Sequence, residues 1–229
     1  MVRPVKKKQI PNLDEAIKDT AWKQIAEFGA PALSLRAIAR ELKITAPAIY
    51  NYFPDRDALV TALIIDAFTS FGDSQLDAKE SVDEMDHAGR VKAIGVAYRD
   101  WAHAYPQRYQ LIFGAPIPGY QGAPEKILPS STRSISALFS VVENINMAER
   151  LKVDSYPEVK SEYMPHYDAW KEHVGDVHPL SVFVAMLIWS RVHGIVSLEI
   201  QGNLPPFGKR GDSLYLAELD FIVSQFIKE

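Results

Sequence analysis

The sequence predicts an all-α fold, and three observations carry that reading. Apolar residues recur at spacings of three and four along most of the chain. No stretch sustains the period-two alternation, flanked by turn residues, that marks a strand. The 229 residues are 47% hydrophobic and contain no cysteine, so a core must form without disulfides, and thiol catalysis and cysteine-ligated metal sites are excluded.

The elements follow in order. Asn12 with Glu15 three residues later reads as a capping box, and Leu13, Ile17, Ala21, Ile25 and Phe28 then run down one helical face to Gly29, a glycine stop. Ser34 caps a short second helix with Leu35, Ile38, Ala39 and Leu42 on its apolar side. After Lys43-Ile44, Thr45 caps a third helix that offers Ala48, Ile49, Tyr52 and Phe53 for packing. Pro54-Asp55 opens a fourth, expected over about 56–71 and ending near Gly72.

A polar stretch then leads into a helix from roughly His87 to Tyr105, and Pro106 opens another to Phe113. Residues 114–129 are rich in proline and glycine and read as an irregular loop. Helices are expected over about 130–150 and, less regularly, over 158–173. Two apolar helices close the chain, at about 179–201 and 213–228. The first is long enough to cross a bilayer, but Arg191 lies in its middle, and a helix buried in a bundle gives the same pattern at lower cost. The N-terminus has no apolar run of the signal-peptide kind, so a cytoplasmic protein without a membrane partner is expected.

The net charge of −4 hides an asymmetry. Residues 1–60 hold ten Lys/Arg against seven Asp/Glu, a net +3, whereas residues 61–229 hold 15 against 22, a net −7. The basic end is where an anionic partner belongs. There, two short helices joined by a tight turn follow a longer supporting helix, the arrangement of a helix-turn-helix that sets its second helix in the DNA major groove. Ala37, Ile38, Leu42, Ile44, Ile49 and Phe53 can lock the two helices, leaving Thr45, Ala46, Pro47, Tyr50 and Asn51 to project. Small residues allow close approach to base edges, Ala46, Pro47 and Ala48 suit thymine methyls, and Tyr50 and Asn51 supply hydrogen bonds. Ser34, Arg36, Tyr52 and Arg56 are placed for phosphates.

The run SLRAIARELKITAPAIYNYFPDRDAL at 34–59, with AWKQIAEFG at 21–29, resembles the DNA-binding signature of TetR-type transcriptional regulators. Tyr50-Asn51-Tyr52-Phe53 matches that family's aromatic core motif, and Arg56 stands where a basic residue usually touches phosphate. Lys43 replaces the usual turn glycine, and Tyr52 a common histidine. Trp189, His193 and Gly194 are similar to the tryptophan-histidine-glycine signature of one subgroup's C-terminal domain.

The resemblance implies a basic arm at 1–11, a DNA-binding domain at 12–58 and a ligand-binding and dimerisation domain at 59–229. It further implies a homodimer paired through the last two helices, a near-palindromic double-stranded DNA operator, and release by a small-molecule effector. A ligand pocket would draw on Tyr98, Trp101, Tyr105, Tyr109, Phe113, Phe139, Tyr167, Trp170, Trp189 and His193, with Tyr163 nearby, and would suit an apolar or aromatic molecule.

Glu162 and His166 lie one helical turn apart without a third ligand at defined spacing, so no metal or other cofactor is expected. Gly211-Asp212-Ser213-Leu214 spells an esterase-like tetrapeptide, but it precedes a C-terminal helix, where Asp212 or Ser213 reads as a cap. No acid, base and nucleophile set stands out. A helical small-molecule-binding protein without operator binding, or an enzyme using the same pocket, stays open as an alternative to the regulator.

Overall fold

Nine α-helices, in chain order, are found among the described residues: α1 (Leu13–Phe28), α2 (Leu35–Glu41), α3 (Ala46–Tyr50), α4 (Arg56–Glu80), α5 (His87–Ala104), α6 (Pro106–Phe113), α7 (Pro124–Met147), α8 (Pro179–Ile200) and α9 (Asp212–Phe226). This computed structural model describes residues 11–152, 164–165, 167–168, 171, 175–208 and 210–228. The expected segment at 158–173 falls mostly outside them. No strand occurs among the described residues, although Leu151 and Ile227 form one antiparallel bridge.

α4 is the beam of the molecule, and it runs well past the expected stop at Gly72 to Glu80. Asp55 starts it, its carboxylate accepting a 2.7 Å bond from the Ala58 amide. Gly72 is a contact point for another helix. A Cβ there would lie 3.0 Å from the Ser134 Cα and 3.2 Å from its nitrogen, so glycine is what lets α4 and α7 cross backbone to backbone. Gln75, one turn on, secures the crossing by donating to the Ser134 carbonyl at 2.9 Å.

α4 also belongs to two cores. Leu59, Val60, Leu63 and Ile64 pack with Ile17, Ile38 and Ile49 of the N-terminal head. Ala67 and Phe71 pack with Tyr98, Val142, Ile188 and Tyr215 of the body. The head core recruits partly buried Leu111, Ile117, Tyr120 and Ile127 from beyond residue 59, so head and body share a packed junction.

Three further expectations are corrected. α7 begins at Pro124, taking the last residues of the expected loop, with Pro129 inside the helix and hydroxyls of Ser130, Ser131 and Thr132 bonded back to nearby carbonyls. Proline at the first turn has no amide to waste there. Asn12 makes no capping bond, its backbone being left-handed at φ 52°. Gly211 is the N-cap residue of α9, with no side-chain capping bond; Asp212 is the first helical residue and its carboxylate goes elsewhere.

α8 is long and apolar enough to cross a membrane by length and composition, with a mean hydropathy of 1.6 over its best window. It packs instead against α5, α7 and α9, and its Arg191 pairs with Glu218 and donates to Gln225 of α9.

Candidate nucleic-acid interface and ligand pocket

The head is locked from beneath. Gln24 of α1, buried, accepts a 3.3 Å bond from the Ser34 amide, while the Ser34 hydroxyl accepts one from Ala37, fixing the start of α2. The turn passes through Lys43 at φ 54°, the left-handed conformation for which glycine is ordinarily chosen. Ile44 then donates to the Ala39 carbonyl at 3.0 Å. Thr45 occupies the N-cap position of α3 with extended backbone but makes no capping bond, so its hydroxyl is not spent on the helix. Ile38, Ile49 and Phe53 are buried at the α2–α3 junction.

The residues expected to face DNA divide by exposure. Thr45, Ala46, Pro47, Tyr50, Asn51 and Tyr52 are exposed, as is Arg36; Ala48 is half-buried, and Ser34 is half-buried with its hydroxyl engaged. Arg56 departs from expectation. Its guanidinium donates to the carbonyls of Ala30 and Pro31, tying the start of α4 to the α1–α2 connection instead of standing free for phosphate. Arg40 of α2 and Lys43 of the turn, neither assigned to DNA from the sequence, are exposed and form no ion pair among the described residues.

In the body, His193 of α8 is the hub of an aromatic cluster. Its Nδ1 lies 2.8 Å from the Tyr98 hydroxyl and 3.1 Å from that of Tyr109. One ring nitrogen carries either a lone pair or a proton, so it serves one hydroxyl at a time. Burial lowers the His193 pKa and favours the neutral ring. Burial likewise pushes Tyr109 up to about 12, and it raises Tyr98 well above its ordinary value, there reinforced by Tyr109 itself. Trp189 stacks on His193 at 4.8 Å, and Phe113 meets it edge-on at 5.1 Å. Phe71 packs against Tyr98, Trp101 and Phe113 at 4.8, 4.9 and 5.6 Å. The Trp101 indole donates to Ser70 at 3.0 Å.

Six of the ten expected pocket residues therefore meet in one cluster: Tyr98, Trp101, Tyr109, Phe113, Trp189 and His193. Tyr105 lies exposed at its edge, against Trp101 and under the Arg108 guanidinium. Phe139 is buried in the body core, Tyr167 donates to the Val177 carbonyl, and Trp170 and Tyr163 lie outside the described residues. The space beside the cluster, bounded by Gln75, Ile94, Tyr98, Leu138, Trp189 and Leu219, is about 20 Å³, the room for a single water. The rings fill their own pocket.

A second constellation was not foreseen. Glu199, fully buried, accepts from Arg99 Nε and Nη2 at 2.8 and 2.9 Å, from the Gly211 amide at 2.9 Å, and lies 2.9 Å from His103 Nε2. Arg99 reaches Asp212 at 2.7 Å and lies over the Tyr215 ring. Burial would raise the Glu199 pKa, but Arg99 and His103 more than reverse that and hold the carboxyl below its ordinary value. The network pins α5, α8 and the start of α9 together. Among the described residues no group of three His, Asp or Glu could hold a metal; Glu162 and His166 lie outside them.

A helix-turn-helix with a neutral, small-residue reading helix, mounted on an all-helical body, defines a DNA-binding transcriptional regulator. Comparison with known proteins gives the family. Residues 17–63 match the model of bacterial regulatory proteins of the tetR family, and residues 91–222 match the tetracyclin repressor-like C-terminal domain. HTH-type transcriptional regulators of Mycobacterium bovis and Mycobacterium tuberculosis are 32% identical over 193 residues, 83% of this chain and 82% of theirs. A crystallised regulatory protein is 33% identical, with a TM-score of 0.73 over 94% of this chain and all of its own. A protein of unknown function from a Rhodococcus species has the same fold at 21% identity, TM-score 0.72, over 99% of this chain and all of its own. The chain belongs to the TetR family: it is a transcriptional regulator and not an enzyme.

Proposed function

We propose that the protein is a repressor that binds a near-palindromic operator as a homodimer and is released by a small apolar or aromatic effector. The observation that carries this reading is the pairing of an unspent reading surface on α3 with an unspent apolar surface on the last two helices.

Met186, Leu198, Leu216 and Phe221 are exposed on α8 and α9. On α8, Met186, Ser190, Gly194, Ser197 and Leu198 share an arc of about 120°, counted at about 100° per residue. A Cβ on Gly194 would meet nothing within 4 Å, so the small residue there serves no packing inside one chain. A second copy seated on this stripe buries it and sets two α3 helices about 34–36 Å apart, one turn of DNA. The family assignment supports the same assembly.

Bases would be read by Ala46, Pro47, Ala48, Tyr50 and Asn51, and phosphates by Thr45, Tyr52, Arg36, Arg40 and Lys43, with Ser34 holding the frame. The effector would act on the helical body through the cluster of Tyr98, Tyr109, Phe113, Trp189 and His193. It shifts the equilibrium only by its difference in affinity for the two head separations, typically about 1–3 kcal/mol of coupling. A gel shift with the protein's own upstream DNA tests the proposal. Binding that weakens steeply between low and moderate salt, with one dimer per half-site pair, supports it; salt-insensitive binding, or none to any palindrome of that region, overturns it.

A further inference from the structure

Three cations without a carboxylate partner meet at the end of the body away from the head. Arg150, Lys152 and Lys228 line a cleft of about 280 Å³, close to the roughly 300 Å³ at which small-molecule sites begin. Each gives one donor to a backbone carbonyl, Arg150 to Lys228 at 3.1 Å, Lys152 to Ser224 at 2.5 Å and Lys228 to Glu149 at 3.2 Å. An ammonium has three donors and a guanidinium five, so most stay free. α4 separates this end from DNA held by α3, since it runs 25 residues, about 37 Å, from the head before the chain turns into α5.

The local chain path gathers the three. The Lys152 amide donates to the Phe226 carbonyl at 2.9 Å and the Lys228 amide to that of Arg150 at 2.7 Å, so 150–152 and 226–228 pair about the Leu151–Ile227 bridge. Leu151 and Ile227 turn into the core, and alternation along the pair puts Arg150, Lys152 and Lys228 on the other face. The carboxylates that share the cleft are engaged: Asp86 caps α5 by accepting from the Gly89 amide at 2.8 Å, and Asp220 pairs with Lys92 at 2.6 Å. The carbonyls ending α9 are taken too, Val223 by the Ile227 amide, Ser224 and Phe226 by Lys152. With Lys92 included, four cations stand against two carboxylates.

His87 adds an independent sign of a missing partner. It opens α5, lines the same cleft and is only 6% exposed, yet its ring makes no hydrogen bond among the described residues, and Nδ1 is buried without a partner. An imidazole always has an N–H to give, and a buried one that finds no acceptor in the chain calls for one from outside it.

We infer that this cleft binds a small phosphate monoester. The charge of such a group near pH 7, about −1.5 to −2, matches the excess of two cations. Its oxygens take donors from Arg150, Lys152, Lys228 and His87, and its short carbon chain lies on Met85, Ala88 and Val223. The occupant bridges α5, α9 and the segment after α7, and the site stands whether or not the regulator reading does.

The test is calorimetry on the full chain in phosphate-free buffer with propyl phosphate, inorganic phosphate, butanoate and butan-1-ol. Propyl phosphate should bind at least tenfold more tightly than each of the others and raise the unfolding midpoint. Lys228→Glu, at an exposed position that should not disturb folding, should weaken it by tenfold or more, and His87→Phe by about fivefold. Lys126→Glu, the same charge change at an exposed site near the other end of α7, should leave it unchanged. No binding of propyl phosphate, equal binding of any of the other three probes, or an equal loss in Lys126→Glu and Lys228→Glu overturns the inference. Displacement of propyl phosphate by a DNA duplex lacking the operator overturns it as well, by making the cleft a nucleic-acid surface.

Discussion

The head and the body handle polar groups in opposite ways. In the head the interior is built on Ile17, Ile38, Ile49 and Leu59, its buried Thr20 and Gln24 are bonded to backbone, and the groups with chemistry to offer, Thr45, Tyr50, Asn51 and Tyr52, are outside. In the body the chemistry is inside: His193 with two tyrosines, and Glu199 with Arg99 and His103. A surface meant for a large, solvated partner must stay unsatisfied until that partner arrives. Under the proposed function the body would sense a small molecule and hold a dimer in register, which calls for polar groups fixed in low dielectric, where each is costly to leave unpaired.

The contrast breaks most visibly at Glu199. Glu199→Gln leaves the buried Arg99 guanidinium only the exposed Asp212 carboxylate, a loss of about 3 kcal/mol, the low end for a broken buried pair. The midpoint of urea unfolding should fall accordingly; a body that tolerates the change would mean the network contributes nothing to holding α5, α8 and α9. The next effect separates two glycines of the body. Gly72→Val forces the α4–α7 crossing apart at about 1–3 kcal/mol, whereas Gly194→Val, with open space before it, should leave the monomer's unfolding intact and impair dimerisation measured by sedimentation.

Smaller still is a pH effect confined to the body. Burial holds the folded His193 pKa below its ordinary 6.5, so as pH falls the unfolded chain takes the proton first. Its contribution to stability is full above about 6.5 and declines as pH drops below that toward the folded value. His193→Gln should remove that part of the slope between pH 7 and 5, and an unchanged slope would show that the imidazole titrates equally in both states.

The same contrast explains what the sequence could disclose. The head was legible because its elements lie within one stretch of chain: Ser34, Ile38, Ile49 and Phe53 are spaced as local packing requires, and the outward residues follow by subtraction. Even there Arg56 escaped, since its partners at Ala30 and Pro31 come from a connection whose path only the fold decides. In the body, the Arg99–Glu199 pair joins residues 100 apart, and His193 meets a tyrosine 95 residues away. No periodicity encodes such pairs. The glycine at 72 misled for a related reason, because a helix stop and a close helix crossing call for the same residue.

Tyr50 gives the most direct test of the central claim, that the exposed face of α3 reads operator DNA for a symmetric dimer. Half exposed, it should change unfolding stability by less than about 0.5 kcal/mol when replaced by alanine. Footprinting the upstream DNA with wild type and Tyr50→Ala should show two protected half-sites centred about one helical turn apart, lost in the variant while its unfolding midpoint is unchanged. A single unsymmetrical footprint, or protection that survives Tyr50→Ala undiminished, would contradict the account.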